Sequence, residues 1–247
     1  MKLGNLLHGR VRMYPDDCLQ SLTTDWWVKN EERKLCRGAL VFAFVPHVDQ
    51  IPYTFATIGR TQADQHDSAI LRYEPLRINQ PRKKTELPVA AMPLNAGELW
   101  AAYRAKQRPC LVIGSNNPMV DRALTQGMAR HSTAPTVLAA PYYGVNQDGK
   151  RAGYKPKIVE CIRHCDYPQF VWDRLPIPGG PQESILRLDH LQPIGTHYIS
   201  YELSEFKLSS EAFEIIDAMV QWVLRGKVEE DTLVAMYREH IEETFSL

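Results

Sequence analysis

The sequence predicts a mainly β domain closed by C-terminal helices. Short apolar stretches rich in β-branched and aromatic residues, bounded by Gly and Pro, fill residues 37–204. No regular alternation of strand and helix interrupts them, which argues against a doubly wound parallel sheet. Beyond residue 208 the apolar spacing changes to three and four, the period of a helix with one buried face. The expected body is a small, strongly curved antiparallel barrel or half-barrel over 37–204, with a long insertion at about 47–96. An N-terminal extension, 1–36, precedes it, and a helical pair, 205–247, packs on the barrel or on a partner.

Residues 1–36 carry little pattern. A helix with an apolar edge fits 17–35, and Trp26 and Trp27 anchor something there. Gly38-Ala-Leu-Val-Phe-Ala-Phe-Val-Pro46 has the composition of a buried strand. Residues 51–59, 69–78 and 86–94 are short strand candidates, and Pro75, Pro81, Pro88 and Pro93 break them up. Residues 98–107 read as a short helix or irregular chain, and 108–114 as a strand. A helical pattern over 119–130 is weakened by Gly127. Strands are expected at 136–144, 155–165, 168–177 and 184–191, with turns at Asp148-Gly149 and 178–181. Residues 196–203 are a strand or a link into the helices. Ser209 or Ser210 caps the first helix, whose stripe is Ala212, Ile216, Met219 and Val223, widened by Ile215 and Val220, and Gly226 stops it. The second starts near Asp231 and carries Leu233, Tyr237 and Ile241.

The 247 residues hold 29 basic and 29 acidic side chains, so the mean charge excludes a strongly electrostatic nucleic-acid binder. The distribution is uneven. Residues 205–247 contain ten acids against four bases, so the body carries the compensating positive charge. No stretch is long and apolar enough to span a membrane, and the N-terminus lacks a secretory pattern, so a cytoplasmic protein is expected. Five cysteines at scattered positions read as reduced thiols rather than a disulfide framework. Glycine-rich nucleotide loops, the zinc-protease helix motif and the serine nucleophile elbow do not occur. Cys161, His164 and Cys165 invite a zinc reading, but in a strand 161 and 164 point apart, and buried thiols fit better. No metal and no cofactor are expected.

Arg187 and Asp189 are the most informative pair. Two positions apart on a strand, they share a face, with Leu186 and Leu188 turned to a core. A guanidinium and a carboxylate side by side can divide labour at a phosphodiester, the one neutralising phosphorane oxygens and the other accepting a 2′-hydroxyl proton. They can equally form a plain surface ion pair. Lys150, Arg151, Lys155, Lys157 and Arg163, with Tyr142, Tyr143 and Tyr154 nearby, combine the cations and rings that single-stranded RNA uses for phosphate contact and stacking. The run of Arg77, Arg82, Lys83 and Lys84 is either an exposed loop or a polyanion contact.

Four segments together resemble the PemK/MazF-like toxin family of endoribonucleases. The strand Gly38–Pro46 is similar to the family's opening strand, Arg108-Pro109 with Cys110–Ile113 to its Arg-Pro hallmark, Val137–Pro141 to its proline-ended strand, and Ile185–His190 to its late Arg-x-Asp strand. The resemblance implies an SH3-like barrel, a homodimer, single-stranded RNA as substrate and an antitoxin as partner. It gives Arg187 the part of general acid and phosphate stabiliser, and Asp189 that of general base. Arg108 would anchor a loop or bind phosphate, and His47 would be a helping histidine in the first loop. Tyr142, Tyr143, Lys150, Arg151, Lys155 and Lys157 would bind the RNA. The chain departs from the family in its length, in the insertion before Arg108, and in Tyr142-Tyr143 where Thr or Ser is usual. The expected function is sequence-selective, metal-independent RNA cleavage. The alternatives are a catalytically inactive nucleic-acid or protein binding module on the same fold, and a regulatory protein whose acidic helices recruit a partner.

Overall fold

The computed structural model of the chain describes residues 14–62, 64, 68–79, 98–115, 120–128, 136–146, 153–179 and 183–245. It divides into two compact units. One comprises the described residues of Met1–Ala43 and Arg108–Leu247, and the other is Phe44–Gln107.

The first unit is built on an antiparallel sheet with helices behind it. In chain order its strands are β1 (Trp27–Lys29), β2 (Ala39–Pro46), β6 (Ala105–Gly114), β7 (Thr136–Gly144), β8 (Phe170–Asp173), β9 (Ser184–Arg187), β10 (Gln192–Gly195) and β11 (Glu202–Leu208). β2 and β6 each begin or end in the second unit. The spatial order is β1-β11-β2-β6-β7-β9-β8, with β10 also on β7. This path is open, and no closed barrel is formed among the described residues. The mainly β body and C-terminal helices match the expected class.

β2 lies in the middle, and Ala39, Leu40, Val41, Ala43 and Val45 are all buried. Burial on both faces over Ala39–Val41 is what a strand covered on both sides requires, whereas Phe44, toward its end, is 70% exposed. Gly38 enters it at φ +79°, where a Cβ would also press to 3.2 Å from Phe213 Cδ2.

β7 shares one edge between two partners. Its first half, Thr136–Ala139, pairs with β10, and its second, Tyr142–Gly144, with β9. Ala140 and Pro141 fall between those two ladders, so on that edge the missing N–H of Pro141 breaks no ladder bond. The connection from β9 to β10 is a single 3-10 turn, Leu188–His190.

Behind the sheet lie α3 (Ser210–Arg225) and α4 (Leu233–Phe245). Ser209 Oγ accepts the Ala212 N–H at 3.1 Å, Glu211 sits in the positive first turn, and Gly226 closes α3 at φ +73°. Ala212, Ile215, Ile216, Met219 and Val220 are buried against Leu40, Leu111, Leu186 and Leu208, as the spacing predicted. Trp222 joins them. α4 turns differently from expectation. Val234, Tyr237 and Ile241 are buried, whereas Leu233 is 42% exposed. The buried set advances by three and then four, so it begins one residue later than a strict spacing of four suggests.

Two further expectations are corrected. Residues 155–165 form α2 (Pro156–Arg163) rather than a strand. Pro156 occupies the first turn, where its missing N–H costs nothing, and Val159 and Ile162 make the buried edge. Residues 17–35 form a 3-10 turn, Leu19–Leu22, and β1, not a helix. Residues 98–107 are extended, as β5 (Ala101–Ala102) and the start of β6. Of the helical pattern at 119–130, α1 covers Arg122–Thr125. The strand candidate at 86–94 lies outside the described residues. No described helix is long and apolar enough to cross a membrane.

The second unit contains β3 (Tyr53–Gly59) flanked by β4 (Ile70–Pro75) and β5. Neither β3 nor β4 carries a buried residue.

Asp173 ties the first unit together. It is 0% exposed. Its carboxylate accepts from the hydroxyls of Tyr14 (3.2 Å) and Tyr142 (3.0 Å) and from the indole N–H groups of Trp26 and Trp27 (both 3.2 Å). Burial pushes its carboxyl up to about 6 from 3.8, and the four donors offset part of that cost. Between those two values the folded chain holds the proton better than the unfolded one. This group therefore contributes most stability below about pH 4, and that contribution falls as pH rises through about 6, by about 3 kcal/mol in all. In Asp173→Asn that slope should be absent from the variant's own stability, so the wild-type stability minus the variant's, measured by urea unfolding, should fall by about 3 kcal/mol between pH 4 and 8. Asp173→Ala, which takes the acceptor from Trp26, Trp27 and Tyr142 while Tyr14 keeps the Arg174 carbonyl at 3.0 Å, should cost about 3–5 kcal/mol by the same measurement.

Candidate functional site

The pleat sorts the residues of β7, β8 and β9 onto two faces. Tyr142 stands opposite Leu186, and Leu186 opposite Val171, all facing the core. Tyr143 stands opposite Ile185, while Arg187 stands opposite Phe170, so these side chains take the other face. On β6, Cys110 pairs with Pro141. Continued by two residues, that register sets Arg108 across from Tyr143. The Arg108 guanidinium lies 3.8 Å from the centre of the Tyr143 ring.

The 3-10 turn after β9 completes the cluster. Asp189 is no longer on the strand, yet it meets Arg187 through two parallel bonds, Nε to Oδ1 at 2.7 Å and Nη2 to Oδ2 at 2.6 Å. Fork-on-fork geometry of this kind fixes both groups. Arg187 Nη2 also lies 3.0 Å from His190 Nε2, and His190 Nδ1 lies 2.8 Å from Tyr143 Oη. Arg187 further reaches the Tyr154 hydroxyl at 3.5 Å and lies 4.9 Å from the Phe170 ring centre and 5.4 Å from that of Tyr143. Leu186 and Leu188 are both buried, as the alternation predicted. The juxtaposition of Arg187 and Asp189 expected from a strand pleat is thus achieved by a strand end and a turn.

Partial burial raises the Asp189 carboxyl, but the hydrogen bonds and charge of Arg187 outweigh it, and the net shift is downward. The Asp189 bonds in turn raise Arg187 further above its already high value. A carboxylate held in this way is a weak proton acceptor. The cluster holds two guanidiniums, one carboxylate, one imidazole and two phenols. Such a surface can bind an anionic group and has one side chain, His190, of the type that exchanges protons near neutrality.

Tyr142 is corrected. It is 2% exposed and its hydroxyl is committed to Asp173, so it faces the interior and not a substrate. The cause is the pleat, which sends adjacent tyrosines to opposite faces. Lys155 and Lys157 are exposed at the start of α2. Lys150 and Arg151 lie outside the described residues, as do Arg82, Lys83 and Lys84. Arg163 pairs with Asp17 at 2.7 Å. His47 belongs to the second unit, where its backbone N–H donates to the Arg104 carbonyl at 2.8 Å.

Comparison with family models finds no match, and comparison with curated proteins and with solved structures finds none either. Cysteine chemistry lies elsewhere than in this cluster. All five thiols are free, and burial pushes those of Cys18, Cys110 and Cys165 up to about 12. A thiol at that value is not a nucleophile at neutral pH. Among the described residues no group of three or more His, Cys, Asp and Glu side chains is placed to hold a metal ion.

His190 and Phe170 were not singled out from sequence. The one signal for His190 was its place directly after Asp189, and a strand reading turns it to the face opposite Asp189. The depressed Asp189 carboxyl is testable. In Arg187→Met its titration, followed by carboxyl carbon NMR, should move upward past the ordinary aspartate range, because the burial remains and the guanidinium is gone. In the wild type, the stability this pair adds is present at neutral pH and lost as pH falls through the depressed value.

Proposed function

We propose that this chain is a sequence-selective, metal-independent endoribonuclease that cleaves single-stranded RNA by attack of the 2′-hydroxyl. One observation carries the reading: two guanidiniums, Arg108 and Arg187, flank the ring of Tyr143 and share their cluster with a single described carboxylate and an imidazole. The surplus positive charge suits a phosphodiester. Arg187, oriented by Asp189, would neutralise the oxygens of the phosphorane, and Arg108 would hold the adjoining phosphate. The family resemblance makes Asp189 the general base, but its clamped geometry suits orientation of Arg187 better than proton abstraction.

On this reading the open sheet is a divergent relative of the small SH3-like barrel. The protein would be cytoplasmic, would work as a homodimer, and would be held in check by an antitoxin covering the Arg187 face. Lys155 and Lys157, exposed at the start of α2, would meet flanking phosphates.

A second reading, an inactive nucleic-acid or protein binding module, is favoured by the same closed Arg187–Asp189 pair, since a pair satisfied by itself has less need of a substrate. Incubation of the purified chain with a mixed RNA pool in a chelator separates the two. The endoribonuclease reading expects discrete products with 2′,3′-cyclic phosphate and 5′-hydroxyl ends. Arg187→Ala and Asp189→Ala should each lower the rate by about a hundredfold or more while far-UV circular dichroism stays native. Binding without cleavage of any RNA would establish the module instead.

A further inference from the structure

We propose that His190 and Tyr143 form the proton relay of the cleavage step, with His190 taking the proton of the attacking 2′-hydroxyl and Tyr143 supplying one to the leaving 5′-oxygen. The inference rests on the endoribonuclease reading and assigns the acid–base work within it.

The tautomer follows from the partners. Arg187 Nη2 can only donate, so His190 Nε2, 3.0 Å away, accepts and carries no hydrogen. The ring hydrogen is then on Nδ1, which donates to Tyr143 Oη at 2.8 Å. His190 is thereby neutral, with a basic nitrogen on one side and a hydrogen-bonded phenol on the other. Asp189 is unsuited to the same task because both its oxygens already accept from Arg187, at 2.7 and 2.6 Å. The imidazole is accessible, its side chain 27% exposed against 19% for Arg187.

An incoming phosphate competes with Nε2 for the Arg187 Nη2 hydrogen. When that hydrogen moves to a non-bridging oxygen, the Nε2 lone pair is released next to the nucleophile. The 2′-oxygen then forms its bond to phosphorus as its proton passes to Nε2. The Nδ1 hydrogen passes to Tyr143 Oη, and the phenol's own hydrogen passes to the 5′-oxygen as the phosphorus–oxygen bond breaks. One proton enters the relay and one leaves it, so no charge is stranded on either side chain. The attacking and departing oxygens stand on opposite sides of phosphorus, and Nε2 and Oη are the two ends of the relay, which matches that requirement. The described groups facing the relay include Arg187 and Asp189 on its own strand end and turn, Arg108 from β6 across the Tyr143 ring, and Tyr154, ahead of α2, through Arg187.

The test uses the full chain and an oligonucleotide containing the linkage it cuts, in two forms: ordinary RNA, and RNA with sulfur replacing the bridging 5′-oxygen, a leaving group that needs no proton. On ordinary RNA, Tyr143→Phe and His190→Gln should each be slower by about a hundredfold to ten-thousandfold. On the sulfur substrate Tyr143→Phe should return to within about tenfold of wild type, whereas His190→Gln should stay slow and lose the acid limb of kcat/KM. Equal slowing of Tyr143→Phe on both substrates, or wild-type rates and an unchanged pH profile for His190→Gln, would overturn the relay while leaving the nuclease reading intact. A wild-type chain that cuts no RNA would overturn both.

Discussion

The structure depends on a buried carboxylate held by four neutral hydrogen-bond donors. Asp173 sits at the end of β8 with no exposed surface, and four neutral donors from three parts of the chain converge on it. Tyr14, Trp26 and Trp27 come from the N-terminal segment, and Tyr142 comes from β7. A carboxylate without this ring would be too costly to bury, and without the carboxylate the ring would be a set of unsatisfied donors. The network therefore forms as a unit. It fixes an N-terminal segment that has little regular secondary structure of its own, and it explains why two adjacent tryptophans occur where no helix or long strand needs them.

The same network sets the orientation of the candidate site. Tyr142 must face the Asp173 side, and the pleat then obliges Tyr143 to take the opposite face, where it is half-buried. On β9, Leu186 faces inward opposite Tyr142, and Arg187 outward. Arg108 follows from the β6 register. A slip of one residue in β7 would bury the site tyrosine and expose the structural one. The partner change along β7 places the Leu188–His190 turn where β7 passes from one ladder to the next, which delivers Asp189 and His190 beside Arg187. The helices act from behind: α3 covers Leu40, Leu111 and Leu186, so the strands that carry the site have a packed floor.

Much of this was legible in the residues. The apolar run of β2, the strand over 136–144, the serine cap, the α3 stripe and the Gly226 stop all express local rules, in which a few neighbours decide the outcome. The Arg187–Asp189 pair was visible for a similar reason, since two positions cannot be far apart in any conformation. What local rules misjudged was α2. Its apolar edge has only two members, Val159 and Ile162, and its neighbours are compatible with either period. Val234 in place of Leu233 is an error of one residue in phase, invisible until the core the helix meets is known.

By itself, then, the sequence determined the mainly β class, the closing helices, and the guanidinium–carboxylate pair, because each is written in residues close along the chain. Tertiary structure alone decided which tyrosine serves the core and which the surface, that Asp173 gathers four aromatic donors, and that His190 bridges Arg187 to Tyr143. Those outcomes join residues separated by 31 to 159 positions in the Asp173 network and by 47 between Tyr143 and His190. Only strand register and the packing of one segment on another can bring such residues together, and no local pattern encodes either.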